Sequence, residues 1–295
     1  MAGADQEGGG SEAIAALRGT FGEPKTPRPT QPDRPGISLS GLAQHSFGDQ
    51  LLQYGVARLI ADRHKLELET PDWIGRDLFG FDDPLPGEPA RAPLDEAAAL
   101  AALSAPAIAE VSRKIAIDGD LSAKFRGSTA RWAQRQDEFR ALFAFAGPAQ
   151  AWLDLAWNRL ANQGYLIVAV DPSSCAQQAA PSVSVPIEWY ETWLDTIWPD
   201  LPGAALYVAG RGPDALEALA RFDPVTSDDI ADPLPSAEAL VDFAMLTHAD
   251  LLGIGPSRSS FVAAMLNPEI KVSVRADAAL SALAPFDPWN APVAG

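Results

Sequence analysis

The chain has 295 residues, enough for one large domain or two of ordinary size, and 47% of them are hydrophobic, enough for a substantial core. It carries 39 Asp and Glu against 22 Lys and Arg, a formal net charge of −17. Such a field repels a phosphate backbone and an anionic membrane surface alike, so nucleic acid is excluded as an expected partner. The one cysteine, Cys175, excludes an internal disulfide and fits a reducing compartment, read here as the cytoplasm. The three histidines, His45, His64 and His248, are scattered and give no metal-ligand spacing, so no metal or cofactor is expected. The longest weakly polar run, residues 97–109, is mostly Ala interrupted by Ser104 and Pro106, too short to span a bilayer, and no secretory leader pattern is evident.

Taken in chain order, residues 1–35 are rich in Gly, Pro and charge and read as a disordered tail. Order is expected to begin with a strand at 37–39 and a loop at 40–48 that carries Gln44 and His45. A helix over 49–63 places Leu52, Val56, Leu59 and Ile60 on one face. Alternation at 65–69 predicts a second strand. Residues 71–94 are Pro/Gly-rich and read as irregular, pinned by Trp73, Phe79 and Phe81. A helix follows at 95–111, a strand at 114–121, a helix at 131–145, and another from Gly147 to Asn162 with Gly164 as a left-handed stop. Residues 36–163 thus form a first α/β domain.

The second domain, 164–295, opens on an apolar strand at 165–170 and a polar loop at 171–185. Pro186 starts a helix bearing Tyr190, Trp193, Leu194, Ile197 and Trp198 on one face. A buried strand at 204–209, a helix at 213–221, a helix capped by Ser236 and ending near His248, and a strand at 251–254 complete a parallel α/β sheet. After Gly255 and Pro256, the loop 257–260 enters a helix at 261–266, with Ser259 or Ser260 as its cap. A polar loop between a buried parallel strand and a helix start suits an anion, because free backbone N–H groups and the helix dipole point there; it is equally the shape of a plain connection. Glu188 and Glu191 read as a solvated helix face. Cys175 has no histidine near it in sequence, and Trp189, Trp193 and Trp198 read mostly as core.

Several stretches resemble the bacterial α-1,2-fucosyltransferase-like enzymes and their wider fucosyltransferase superfamily. DQLLQYGVARLIADR after a glycine is similar to their Gly-Asn-Gln-Leu-Phe-Gln-Tyr-Ala helix, and PIEWYETWLDTIWP to the helix after their phosphate-binding strand. ALYVAG resembles the strand before their Ser-Asp-Asp turn, IGPSRSSFVAAMLNP their Ser-Asn-Ser-Thr-Phe-Ser-Phe loop and helix, and FDPWN a C-terminal tail. The matches are collinear over 37–290. The resemblance implies two facing Rossmann-like domains of the GT-B kind. It implies a GDP-sugar donor held by the second domain, a glycan acceptor, and inverting, metal-independent transfer.

The departures fall at strand ends. No Lys or Arg occurs in residues 164–210, so the arginine that meets the donor pyrophosphate in the family has no counterpart; Asp171 stands near its place. Loss of such a preorganised group costs roughly 10²–10³ in rate. Asp49 replaces the family's Asn before Gln, and Arg211 and Arg258 stand where the family lacks a cation. Two outcomes are open. Arg211 and Arg258 rebuild a donor site with Ser257, Ser259, Ser260 and Phe261, while His45, Asp49 and Gln50 face an acceptor. Alternatively, the arginines pair with Asp228, Asp229 or Asp250. The corresponding functions are a glycosyltransferase with a divergent donor site or an inactive relative that binds a glycan or a protein.

Overall fold

A computed structural model describes residues 9–30, 34–87, 91–104, 117–172, 185–210 and 212–293. The stretch read as a disordered tail is ordered from residue 9. Helix α1 (Gly9–Phe21) buries Ala13 and Leu17, four residues apart on one face, against the helices described below as α3 and α6. Arg18 then donates to Asp72 and Asp77 at 2.7–2.9 Å. An apolar stripe this short gives little signal in the sequence; a receiving groove and two carboxylates fix it.

The first half builds β1 (Gly36–Ser38), α2 (Phe47–His64), β2 (Glu67–Glu69), α3 (Ile74–Phe79), β3 (Pro93–Leu94), α4 (Glu96–Ser104) and β4 (Gly119–Leu121). Its four strands are all parallel, in the order β2-β1-β4-β3. Ser46 caps α2 and left-handed Lys65 ends it. The Pro/Gly-rich stretch 71–94 is not wholly irregular: it contains α3 and β3, held by stacking of Phe81 on Tyr54 and Trp73. The helix expected at 95–111 is described as α4, and the strand expected at 114–121 as β4; residues 105–116 lie outside the described residues. Two short 3-10 turns precede α5 (Gln136–Leu142), which is shorter than the helix expected there, and α6 (Gly147–Ala161) follows. Gly164 is not a left-handed stop. Its backbone has no positive φ, and a Cβ there would lie 2.6 Å from the Ala205 nitrogen, so close approach is what requires glycine.

The second half builds β5 (Ile167–Asp171), α7 (Ile187–Ile197), β6 (Ala205–Val208), α8 (Pro213–Leu219), α9 (Ser227–Ile230) and α10 (Glu238–Leu246). It continues with β7 (Leu251–Ile254), α11 (Arg258–Leu266), β8 (Val272–Asp277) and β9 (Ala282–Pro285). The order is β6-β5-β7-β8-β9; the first four strands are parallel and β9 closes the edge antiparallel. Residues 173–184, with Cys175, lie outside the described residues. Ser236 does not cap α10; its hydroxyl bonds Glu12 of α1. Helix α11 starts earlier than expected, because Ser257 rather than Ser259 or Ser260 is its cap.

The α/β class expected from the sequence is the observed one. Strand order reverses at β1/β4 in the first sheet and at β5/β7 in the second, and such switch points open crevices at the carboxyl ends of the strands. The two crevices face each other because α2 and α11 pack together, both buried nearly all round. After β9 the chain returns to the first half. Thr129 Oγ1 donates to Pro288 O and Ala291 O, Val293 N donates to Gly127 O, and Trp289 packs edge-on to Phe139 beneath Arg140.

Candidate functional site

The meeting point of the two crevices is an ion pair. Arg258, the first residue of α11, reaches across to α2. Its Nη1 donates to Asp49 Oδ1 at 2.5 Å and lies 3.4 Å from Phe125 O, just beyond β4. Both side chains are buried, 5% and 3% exposed. Asp49 is held from behind by the Ser46 hydroxyl, which donates to Oδ2 at 2.7 Å. The helix starts nearly touch: a Cβ on Gly48 would lie 2.5–2.8 Å from the backbone of Arg258 and Ser259. Burying two charges costs several kcal/mol each unless they pair well. Here the guanidinium serves as the local counter-ion of a carboxylate, while its Nε and Nη2 have no acceptor among the described residues.

The remaining sequence candidates divide. Ser257 and Ser260 bond each other, Ser257 Oγ accepting from Ser260 N and Ser260 Oγ donating to Ser257 O, so both are spent on the cap. Phe261 is a core ring beside Phe286, and Ser259 is half-buried with its N–H under Gly48. Arg211 lies outside the described residues. Arg258 pairs with Asp49 rather than with Asp228, Asp229 or Asp250; Asp229 caps Thr226, and Asp250 holds Lys271 and Ile167 N. Gln50 is buried and donates to His45 O at 2.8 Å, which fixes the loop bearing His45. His45 is half-buried. Its imidazole titrates below the usual histidine range because burial disfavours the charged form and Lys124 repels it, against the opposing pull of Asp49.

At the exit of β5, Asp171 is 5% exposed, and its carbonyl accepts from the Tyr190 hydroxyl and from Gly255 N. Asp171 is thus the last residue of β5, at the strand end where the resemblance expects an arginine. Lys124 and Arg126 are missing from the sequence reading. They flank the Phe125 carbonyl, and the signal for them is a run of cations without a carboxylate in an otherwise acidic chain. A recess of about 180 Å³ between α6, α9 and α10 is lined by Trp152, Asp228 and Glu238 among others. None of the strand-exit residues borders it, and its carboxylates disfavour a phosphate.

No family model matches the sequence, and no curated protein matches it. Solved structures do. A NodZ alpha-1,6-fucosyltransferase soaked with GDP-fucose superposes with a TM-score of 0.53 at 13% identity, covering 86% of this chain and 99% of that one. A mutant of Arabidopsis thaliana FUT1 in complex with GDP gives 0.55 at 10% identity, covering 94% and 78%. NodZ from Bradyrhizobium gives 0.53 at 10%, covering 87% and 99%. The fold is that of the GT-B fucosyltransferases. At these identities the likeness is one of architecture.

Proposed function

We propose that the chain is a glycosyltransferase of the fucosyltransferase type, on its sequence resemblance of the α-1,2 group, that takes a nucleotide sugar between its two sheets. The observation that carries this reading is the face-to-face meeting of two switch points at the β7–α11 turn. On one side, Arg258 brings Nε and Nη2, which have no acceptor among the described residues, toward a diphosphate. On the other, His45 is held neutral at neutral pH and so fits a general base. The acceptor oxygen would bond to the anomeric carbon as the bond to the nucleoside diphosphate breaks, the acceptor proton passing to the imidazole.

A second reading has its own support. Asp49 neutralises Arg258, and no Lys or Arg occurs in residues 164–210, the stretch that runs through β5 and β6. Both features suit a relative that binds a glycan or a protein without transferring sugar. Calorimetry and thermal melts of the full chain with GDP, GDP-fucose and UDP separate the two. A nucleotide at a hundred times its Kd adds about 2.7 kcal/mol to stability, a shift of several degrees. Such a shift together with sugar transfer supports the transferase. Absence of both, with retained binding of an oligosaccharide, supports the second reading.

A further inference from the structure

Between Leu121 and Gln136 the chain carries Lys124, Arg126, Arg131 and Arg135 and no carboxylate, in a molecule of net charge −17. Arg135 is engaged by Leu59 O and Glu138. Lys124, Arg126 and Arg131 are exposed, and none has an ion pair or side-chain hydrogen bond among the described residues. Exposure alternates from Ser122 to Arg126, with Ala123 and Phe125 buried, so Ser122, Lys124 and Arg126 share one outward face. On an extended chain Lys124 and Arg126 stand about 6.6 Å apart, a spacing for two separate anionic groups.

The row lies at the first crevice, where β4 ends, beside His45 and against the β7–α11 turn. A fourth cation comes from the other sheet. Arg275 of β8 donates to Pro292 O at 2.9 Å, and Pro292 is bridged to Ser128. The carboxylates nearby are committed elsewhere. Asp118 pairs with Arg91, and Asp120 accepts from the Ser40 N–H and hydroxyl. Asp277 and Asp287 accept backbone N–H groups of their own turns. A long polyanion is repelled by the rest of the surface, so the fitting ligand is short and bears a few negative groups.

We propose that Lys124 and Arg126, with Arg275 across the seam, form an anion-recognition edge of the cleft, and that the saccharide reaching it carries carboxylate or sulfate groups. That this saccharide is the acceptor rests on the transferase reading; its binding requires no donor. The test is calorimetry on the full chain with a heparin hexasaccharide, a hexameric oligogalacturonate and neutral chitohexaose, repeated on Lys124→Glu/Arg126→Glu and on Arg275→Gln. The expected result is binding of at least one anionic hexamer at least about tenfold tighter than chitohexaose. The double variant loses that preference, Arg275→Gln weakens it, and melts of the variants match the parent. Tight binding of the oligogalacturonate shows that carboxylates suffice, and binding of the heparin hexasaccharide alone shows that sulfate is required. The proposal is overturned if chitohexaose binds as tightly, if the double variant binds unchanged, or if a dT12 oligonucleotide binds as well with the same dependence. Parallel loss of GDP binding in the double variant also overturns it, since the row would then hold the donor. Absence of GDP binding throughout sinks the transferase reading while leaving this edge intact.

Discussion

Asp49 and Arg258 lie 209 positions apart, and each alone would leave a lone charge in the interior. The two charges are opposite in sign, lie 2.5 Å apart and compensate each other. Asp49→Asn is therefore expected to cost about 3–5 kcal/mol, because it strands a buried guanidinium. Adding Arg258→Met should restore most of that loss. A double-mutant cycle by urea denaturation measures the coupling, and strictly additive losses would show that the pair is incidental. Both residues are legible in the sequence as site candidates, one for each substrate. That they face each other is not, since no local pattern relates positions so far apart. Lys124 and Arg126 are the reverse case: their charge pattern stands in plain view and a strand is expected before them, but nothing in the sequence alone places the segment at a seam between the two halves.

At the scale of elements, α2 and α11 meet through the absence of a side chain. Helix propensity alone favours Gly48→Ala by about 1 kcal/mol. The new methyl would lie 2.5 Å from the Arg258 carbonyl carbon, and backbone cannot rotate away as a side chain can. The substitution is expected to destabilise instead, by about 1–3 kcal/mol as for other overpacked contacts, and a rise in melting temperature would refute the close approach. The buried strands β5, β6 and β7 read clearly because each is a run without charged side chains, apart from Asp171 at the end of β5. Helix α11 reads less clearly, because a helix buried all round has no polar face to give it a period. The short α3 and α9 are hardest. Six and four residues carry too little repeat, and tertiary contacts rather than local sequence hold them.

For the whole molecule, α1 is part of the folded unit. Removing residues 1–22 is expected to lower stability by at least about 2 kcal/mol, the worth of one buried leucine such as Leu17. A dangling tail would leave the melt unchanged, which is the outcome that refutes this assignment. The return of the C-terminal segment has a different consequence. Val293 and Ala291 are stitched to Gly127 and Thr129, and the indole of Trp289 donates to Met265 O at the end of α11. The same few residues thus clasp both halves, in addition to the covalent link through α6. Swinging apart like jaws would tear this clasp, so the two halves hold a fixed opening for as long as these hydrogen bonds last.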